Sequence, residues 1–206
     1  MQNPSHDELE ELFREIIVPF YHIRRDIRVP FEDRHLENDA EHSWSLAFLA
    51  CALAPKIDPT LDIGLIAQFA TVHDIAEVYA GDTSNFASES EKATKAERET
   101  AALQKIATKF AHFPWIAEMA ERYEARDCDE AKFVYALDKY IPVMFDHLDE
   151  GEYVREIQLS LADYRAGLEQ QREKAQTHPV IGKYYDEIRA LVESHYDNFH
   201  QKNREI

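Results

Sequence analysis

The chain has 206 residues, 45% of them hydrophobic, with only five glycines and a formal net charge of −17. That length fits one domain over 1–206 with a substantial core, and the composition suits a packed helical globule rather than a sandwich or a disordered tail. The charge excludes a nucleic-acid partner, because phosphate-backbone affinity rests on clustered Lys and Arg. It leaves open a small phosphorylated substrate held by a metal and one or two arginines, and otherwise reads as a solubility feature.

Leu9, Leu12, Phe13, Ile16 and Ile17 follow helical spacing, so about Ser5 to Tyr21 is expected as an amphipathic helix. A basic patch follows, Arg24, Arg25, Arg28 and Arg34, interrupted by Pro30, which marks a loop. Asn38-Asp-Ala-Glu41 has the form of a capping box. The helix it opens carries His42, then Trp44 or Leu46 on its buried side, and is expected to stop before Pro55. Asp62 is the expected cap of a helix running from Ile63 to about Gly81. Ser84 to Ser90 is polar and loop-like, and Glu91 to Phe110 forms a charged amphipathic helix burying Ala101, Leu103, Ile106, Ala107 and Phe110. Trp115 to Tyr123 is a shorter helix. Asp127-Cys-Asp-Glu130 repeats the cap signature before an apolar helix from Ala131 to Met144, and Asp146 to Glu152 is a turn. Two last helices are expected over about Tyr153–Gln176 and Ile181–Phe199. No stretch alternates with period two, so the fold class is all-α, with seven to nine helices.

Cys51 and Cys128 form no CxxC pair, which excludes a zinc-thiolate motif, and Cys51 is expected as a buried thiol. The N-terminal residues lack the layout of a signal peptide, and no apolar run approaches the roughly 18 residues that span a bilayer. The expectation is a cytoplasmic protein with no membrane partner.

Four polar residues sit where helices should bury apolar side chains: His42 at a helix start, His73 and Asp74 inside the next amphipathic run, and Asp138 in Phe133-Val-Tyr-Ala-Leu-Asp-Lys-Tyr-Ile141. Singly each has an ordinary explanation, such as an Asp138–Lys139 ion pair. Together, two imidazoles and two carboxylates from three helices suit a divalent first-row metal, the cation offsetting the several kcal/mol that a buried unpaired carboxylate costs. Glu77 lies one turn beyond Asp74, and Asp82 just past Gly81.

The pattern resembles the HD-domain metal-dependent phosphohydrolases. Glu37-Asn-Asp-Ala-Glu-His-Ser-Trp44, Val72-His-Asp-Ile-Ala-Glu77 with Gly81-Asp82, and Arg122-Tyr-Glu124 through Glu130-Ala-Lys-Phe-Val134 to Leu137-Asp-Lys139 are similar to the branch holding the bacterial 5′-deoxynucleotidase YfbR and the eukaryotic HD-domain-containing protein 2. The likeness covers about residues 10 to 150, with the helices of about 153–199 packing on that core or at a dimer interface. It implies a helical HD bundle and one divalent metal ion, Mn, Co, Fe, Ni, Zn or Mg, on His42, His73, Asp74 and Asp138. It implies Glu77 as the residue that positions or activates the attacking water and Asp82 as an acid near the sugar and leaving oxygen. An N-terminal arginine would hold the phosphate, with Arg25 and Arg24 the first candidates and Arg34 the third. The implied reaction releases phosphate from (deoxy)nucleoside 5′-monophosphates in a homodimeric enzyme whose partner is the small nucleotide.

Other HD activities compete, on cyclic nucleotides, dNTPs or (p)ppGpp. Val78 stands where the last group has a second acid, and the small size argues against a triphosphate. A non-catalytic nucleotide-binding HD module and a plain helical interaction protein are the alternatives outside catalysis. Asn38 and Glu41 are candidates either to cap their helix or to hold the other ring nitrogen of His42. Lys92, Lys95 and Glu99 read as a solvated face.

Overall fold

A computed structural model describes residues 3–83 and 89–202. The first rod joins α1 (His6–Leu12) to α2 (Val18–Phe20) through a π turn (Phe13–Ile17). A ribbon of β1 (Arg24–Arg28) and β2 (Leu36–Asn38) follows, then α3 (Asp39–Ile57), α4 (Ile63–Val72), α5 (Glu77–Ala80), α6 (Glu89–Lys109) and α7 (Trp115–Ala125). The chain continues with α8 (Asp129–Leu148), α9 (Glu152–Glu156), α10 (Leu161–Ala175) and α11 (Pro179–Lys202). Among the described residues, 9 of these α-helices have five residues or more, and the ribbon is the one sheet. None of them is long and apolar enough to cross a membrane.

The expected all-α class therefore holds apart from that ribbon. Its strands pair antiparallel, Arg24 with Asn38 and Arg28 with Leu36, with a register shift between. Two strands this short and irregular leave no period-two signal to read. The ribbon packs on α8 and turns Arg25 and the buried Ile27 inward.

Several boundaries differ from expectation. α3 continues past Pro55 to Ile57: a proline loses only its own N–H bond, and the fully buried Ala54 still anchors the turn, its carbonyl accepting from Asp58 N–H at 2.9 Å. α8 likewise runs through Pro142 to Leu148, so Asp146 is helical and buried rather than in a turn. Cys128, not Asp127, is its N-cap, with no side-chain bond. The stretch expected as one helix over Tyr153–Gln176 divides into α9 and α10, because the Ser160 hydroxyl caps a new start by accepting from Asp163 N–H. On α6 the buried alanine is Ala102 rather than Ala101, and Cys51 is only half-buried. Leu46 is fully buried while Trp44 is exposed. The loop expected at Ser84–Ser90 lies mostly outside the described residues.

Helix α8 organises two cores. Its first half joins α3, α4, α6 and α7 around Leu46, Ile66, Phe69, Ile106, Phe133 and Leu137. Its second half joins α9, α10 and α11 around Val143, Val154, Tyr164, Leu168, Tyr185 and Ile188. Truncating Phe133 or Leu137 to alanine would cost about 2–5 kcal/mol. The polar residues considered next lie along the edge between the two cores.

Candidate metal centre and its cleft

His42 owes its place to the start of α3. Asn38 Oδ1 accepts from Glu41 N–H and Glu41 Oε2 accepts from Asn38 N–H, both at 3.0 Å, a complete capping box that fixes the first turn. Capping is thus the work of both residues, and Glu41 also reaches His35. The other ring nitrogen of His42 goes to Glu37: Nδ1 donates to Oε2 at 3.1 Å, with both side chains sealed from solvent. That bond turns Nε2 inward, 2.9 Å from Asp138 Oδ1.

His73 sits where α4 ends. The expected single helix from Ile63 to Gly81 is broken here: His73 Nδ1–H donates to the Ala70 carbonyl at 2.9 Å, taking the acceptor that a regular helix would offer Asp74. The next turn tightens to three-residue spacing, with Ile75 N–H on Val72 and Glu77 N–H on Asp74. The helix resumes as α5 and stops at Gly81, whose φ of 73° suits glycine. Arg98 then pins the following loop, donating to the Ala80 carbonyl at 2.6 Å and the Thr83 hydroxyl at 2.7 Å.

Both imidazoles thus present Nε2 to the same point. His73 Nε2 is 2.9 Å from Asp74 Oδ2 and 4.0 Å from Asp138 Oδ1, and the ring centroids are 5.3 Å apart. Ligand atoms of His42, His73 and Asp138 all lie within 4.8 Å of one another. A second group, Asp39, Asp74 and Glu77, meets the same limit, so Asp74 joins the two. Arg25 pairs with Asp74 and Lys139 with Asp138 beside this group, and two imidazoles converging with two carboxylates form a donor set that fits a divalent ion.

The electrostatics agree. Burial and nearby Arg25 push the His42 imidazolium down, but the hydrogen bonds to Asp138 and Glu37 prevail and hold it up at about 9. Asp138 stays ionised against its burial because Lys139, His42 and His73 surround it. Asp74 is held low by His73 and Arg25, again against burial. Glu77 is the opposite case: burial, then Asp74 and Asp82, drive it well above the ordinary carboxylate range, and its Oε2 has no hydrogen-bond partner among the described residues. Burial and Asp74 raise Asp39 to about 7.

Asp74, Glu77, Asp82 and Asp138 line one cleft that opens to solvent, together with Arg25 and Lys95. Arg25 is the arginine the fold delivers: its Nη1 donates to Asp74 Oδ2 at 2.6 Å and lies 3.4 Å from Asp39. Arg24 and Arg34 are placed elsewhere. Arg24 is exposed and donates to the Leu36 carbonyl, while Arg34 pairs with Asp149, Glu152 and Glu156. Pairing across the ribbon turns Arg25 towards α8 and leaves Arg24 exposed, a choice that the run of arginines alone does not reveal.

Four residues of the site were not picked out by sequence. Glu37 lies before the capping box, outside any helical period. Asp39 was read as part of that box. Lys95, assigned to a solvated face, lies 3.8 Å from Glu77 Oε1 and 3.4 Å from Glu99. Tyr123 stands edge-on to His73, their centroids 6.2 Å apart. Glu37, Asp39 and Tyr123 fall inside the motif blocks and Lys95 on the helix that follows Asp82, but no local pattern gave any of them a role.

The crystal structure of a predicted metal-dependent phosphohydrolase from Magnetospirillum magnetotacticum MS-1 superposes with a TM-score of 0.73 at 28% identity, covering 93% of this chain and 92% of that one. A conserved hypothetical protein from Pyrococcus furiosus shares the fold, with a TM-score of 0.59 at 22% identity over 91% of this chain and 100% of its own. No functionally curated protein matches the sequence. The HD-domain family model matches residues 22–201, a span that includes the ribbon, both cores and every residue of the cleft named above; the chain belongs to the HD-domain family.

Proposed function

We propose that the protein is a metal-dependent phosphohydrolase releasing phosphate from (deoxy)nucleoside 5′-monophosphates, with one divalent ion held by His42, His73, Asp74 and Asp138. The observation that carries this reading is the gathering of ligand atoms of His42, His73 and Asp138 within 4.8 Å of one another, with Asp74 2.9 Å from His73, beside a cleft lined by Asp74, Asp138, Glu77 and Arg25. The likeness to a predicted metal-dependent phosphohydrolase supports it. The donor set is compatible with Mn, Co, Fe, Ni, Zn or Mg.

The ion, when bound, would polarise a phosphoryl oxygen and bring the pKa of water down from 15.7 towards about 7. The chain supplies the rest. Glu77, with a raised pKa and a buried oxygen that has no hydrogen-bond partner among the described residues, is placed to orient a water and take its proton. Arg25 can exchange its carboxylate bonds for two phosphate oxygens and offset charge in a loose transition state. Asp82, half-buried on the loop that Arg98 pins, lines the same cleft and is assigned here to the leaving oxygen. Lys95 keeps a positive charge beside Glu77.

A panel of dNMPs, NMPs, cyclic nucleotides and dNTPs, each with Mn, Co, Mg and Zn, tests the reading. Release of inorganic phosphate from the monophosphates is expected. Activity confined to cyclic nucleotides or dNTPs would refute it.

A further inference from the structure

The cleft extends beyond the metal centre along α8. Asp138, Pro142 and Asp146 recur every four residues on the face of the helix that lines it, so Asp146 stands about 12 Å along the axis from Asp138. That interval leaves room for a sugar between a phosphate at one end and a flat ring at the other. The walls change character along it. Arg25, Lys95 and Lys139 gather near Asp138, whereas Val143, Leu168 and Tyr185 line the far part.

Asp146 is the carboxylate of this inner part and is 8% exposed. Its Oδ2 accepts from the Tyr164 hydroxyl at 2.9 Å, and its Oδ1 has no hydrogen-bond partner among the described residues. The carboxylates of Asp149 and Asp26 act on it, and Lys174 of α10 lines the same cleft. Asp26 also lines the cleft and accepts a hydrogen bond from the Tyr153 hydroxyl. A buried acceptor in acidic surroundings is costly until an N–H donor arrives. Burial pushes the Asp146 carboxyl up to about 7, as expected of a group that lacks that donor.

Resting on the nucleotide reading above, we propose that Asp146 reads the far end of the substrate, accepting a hydrogen bond from the exocyclic amino group that cytosine and adenine carry where thymine, uracil and guanine carry a carbonyl oxygen, and so selecting the first two bases. Tyr164 positions it by holding Oδ2. The selection is strong where a site's buried polar group is left unpaired by the wrong ligand.

The test compares wild type, Asp146→Asn and Tyr164→Phe on dCMP, dAMP, dGMP and dTMP. Wild type should favour dCMP and dAMP over dTMP and dGMP in kcat/KM by roughly tenfold or more. In Asp146→Asn the Tyr164 hydroxyl would hold the amide oxygen and turn the NH₂ towards the base, so the preference should collapse or move towards dTMP. Tyr164→Phe should narrow it at least threefold, and it carries the test alone if Asp146→Asn does not fold. Wild-type indifference to the base, or equal losses on all four substrates, overturns the assignment. Calorimetric titration with unphosphorylated deoxycytidine and thymidine separates this proposal from the hydrolytic reading. If no nucleotide is hydrolysed, tighter deoxycytidine binding that the variants abolish still supports the subsite, whereas equal binding of both nucleosides overturns it.

Discussion

Glu37 Oε2 lies 3.1 Å from His42 Nδ1, and neither side chain is open to solvent. This bond selects the tautomer whose Nε2 faces Asp138, so a residue that touches no ion controls how well one is held. Glu37→Gln keeps an acceptor but loses the charge and should weaken Mn or Co binding about 10-fold. Glu37→Ala should weaken it by up to about 100-fold. Titration of the metal-stripped protein with Co, followed by its visible absorption, reads this directly. Unchanged affinity in both variants would mean that His42 is oriented by packing alone.

Arg25 is a counter-cation for the acidic side of the site. Its guanidinium reaches Asp74 at 2.6 Å, Asp39 at 3.4 Å and Glu37 at 3.5 Å. In Arg25→Ala those buried carboxylates lose that charge, so the metal-free protein should melt several degrees lower. Adding Mn should then raise Tm more in the variant than in wild type, because the ion supplies the missing charge. Phosphate release should still fall about 100-fold or more. Equal Mn-induced shifts in the two proteins would exclude the counter-cation role.

What could be read from sequence, and what could not, follows from the range of each interaction. The helices that carry His42, His73, Asp74 and Asp138 have local apolar periodicity, and the Asn38–Glu41 capping box is written in four consecutive residues, so these were legible. Arg25 was separated from Arg24 and Arg34 only by the inward turn of an irregular ribbon, which has no local signature. Glu37 and Lys95 reach the site across 5 and 18 residues respectively, to His42 and Glu77, through side-chain geometry that no period encodes. Pro55 misled because a proline stops a helix only where neighbouring burial does not hold the next turn.

Glu77 and Lys95 should separate chemistry from ion binding. Glu77 has a buried oxygen without a hydrogen-bond partner among the described residues, and Lys95 Nζ is 3.8 Å from its other oxygen. Glu77→Gln should retain the metal, measured by elemental analysis, while kcat falls about 100-fold or more. Lys95→Ala should cost roughly 10-fold, with Lys95→Arg restoring part of the loss. A fully active Glu77→Gln protein would remove Glu77 from the proton-transfer role.

The last prediction concerns stability rather than turnover. Burial, and then Asp149 and Asp26, hold the Asp146 carboxyl near 7 against an ordinary value of 3.8, with the Tyr164 hydrogen bond opposing them. The folded protein therefore binds more protons at this position than the unfolded chain does between those two values. Its contribution to stability is fully present below about pH 4, declines as pH rises towards 7 and is flat beyond. Asp146→Asn stays neutral throughout, so the variant should gain on wild type across that window. The Tm difference, variant minus wild type, should be more positive at pH 8 than at pH 4.5 by several degrees. Subtracting the two curves cancels the other titrating groups, Asp39 among them, because both proteins share them. Parallel melting curves from pH 4 to 8 would show that Asp146 ionises in the folded protein as readily as in the unfolded chain.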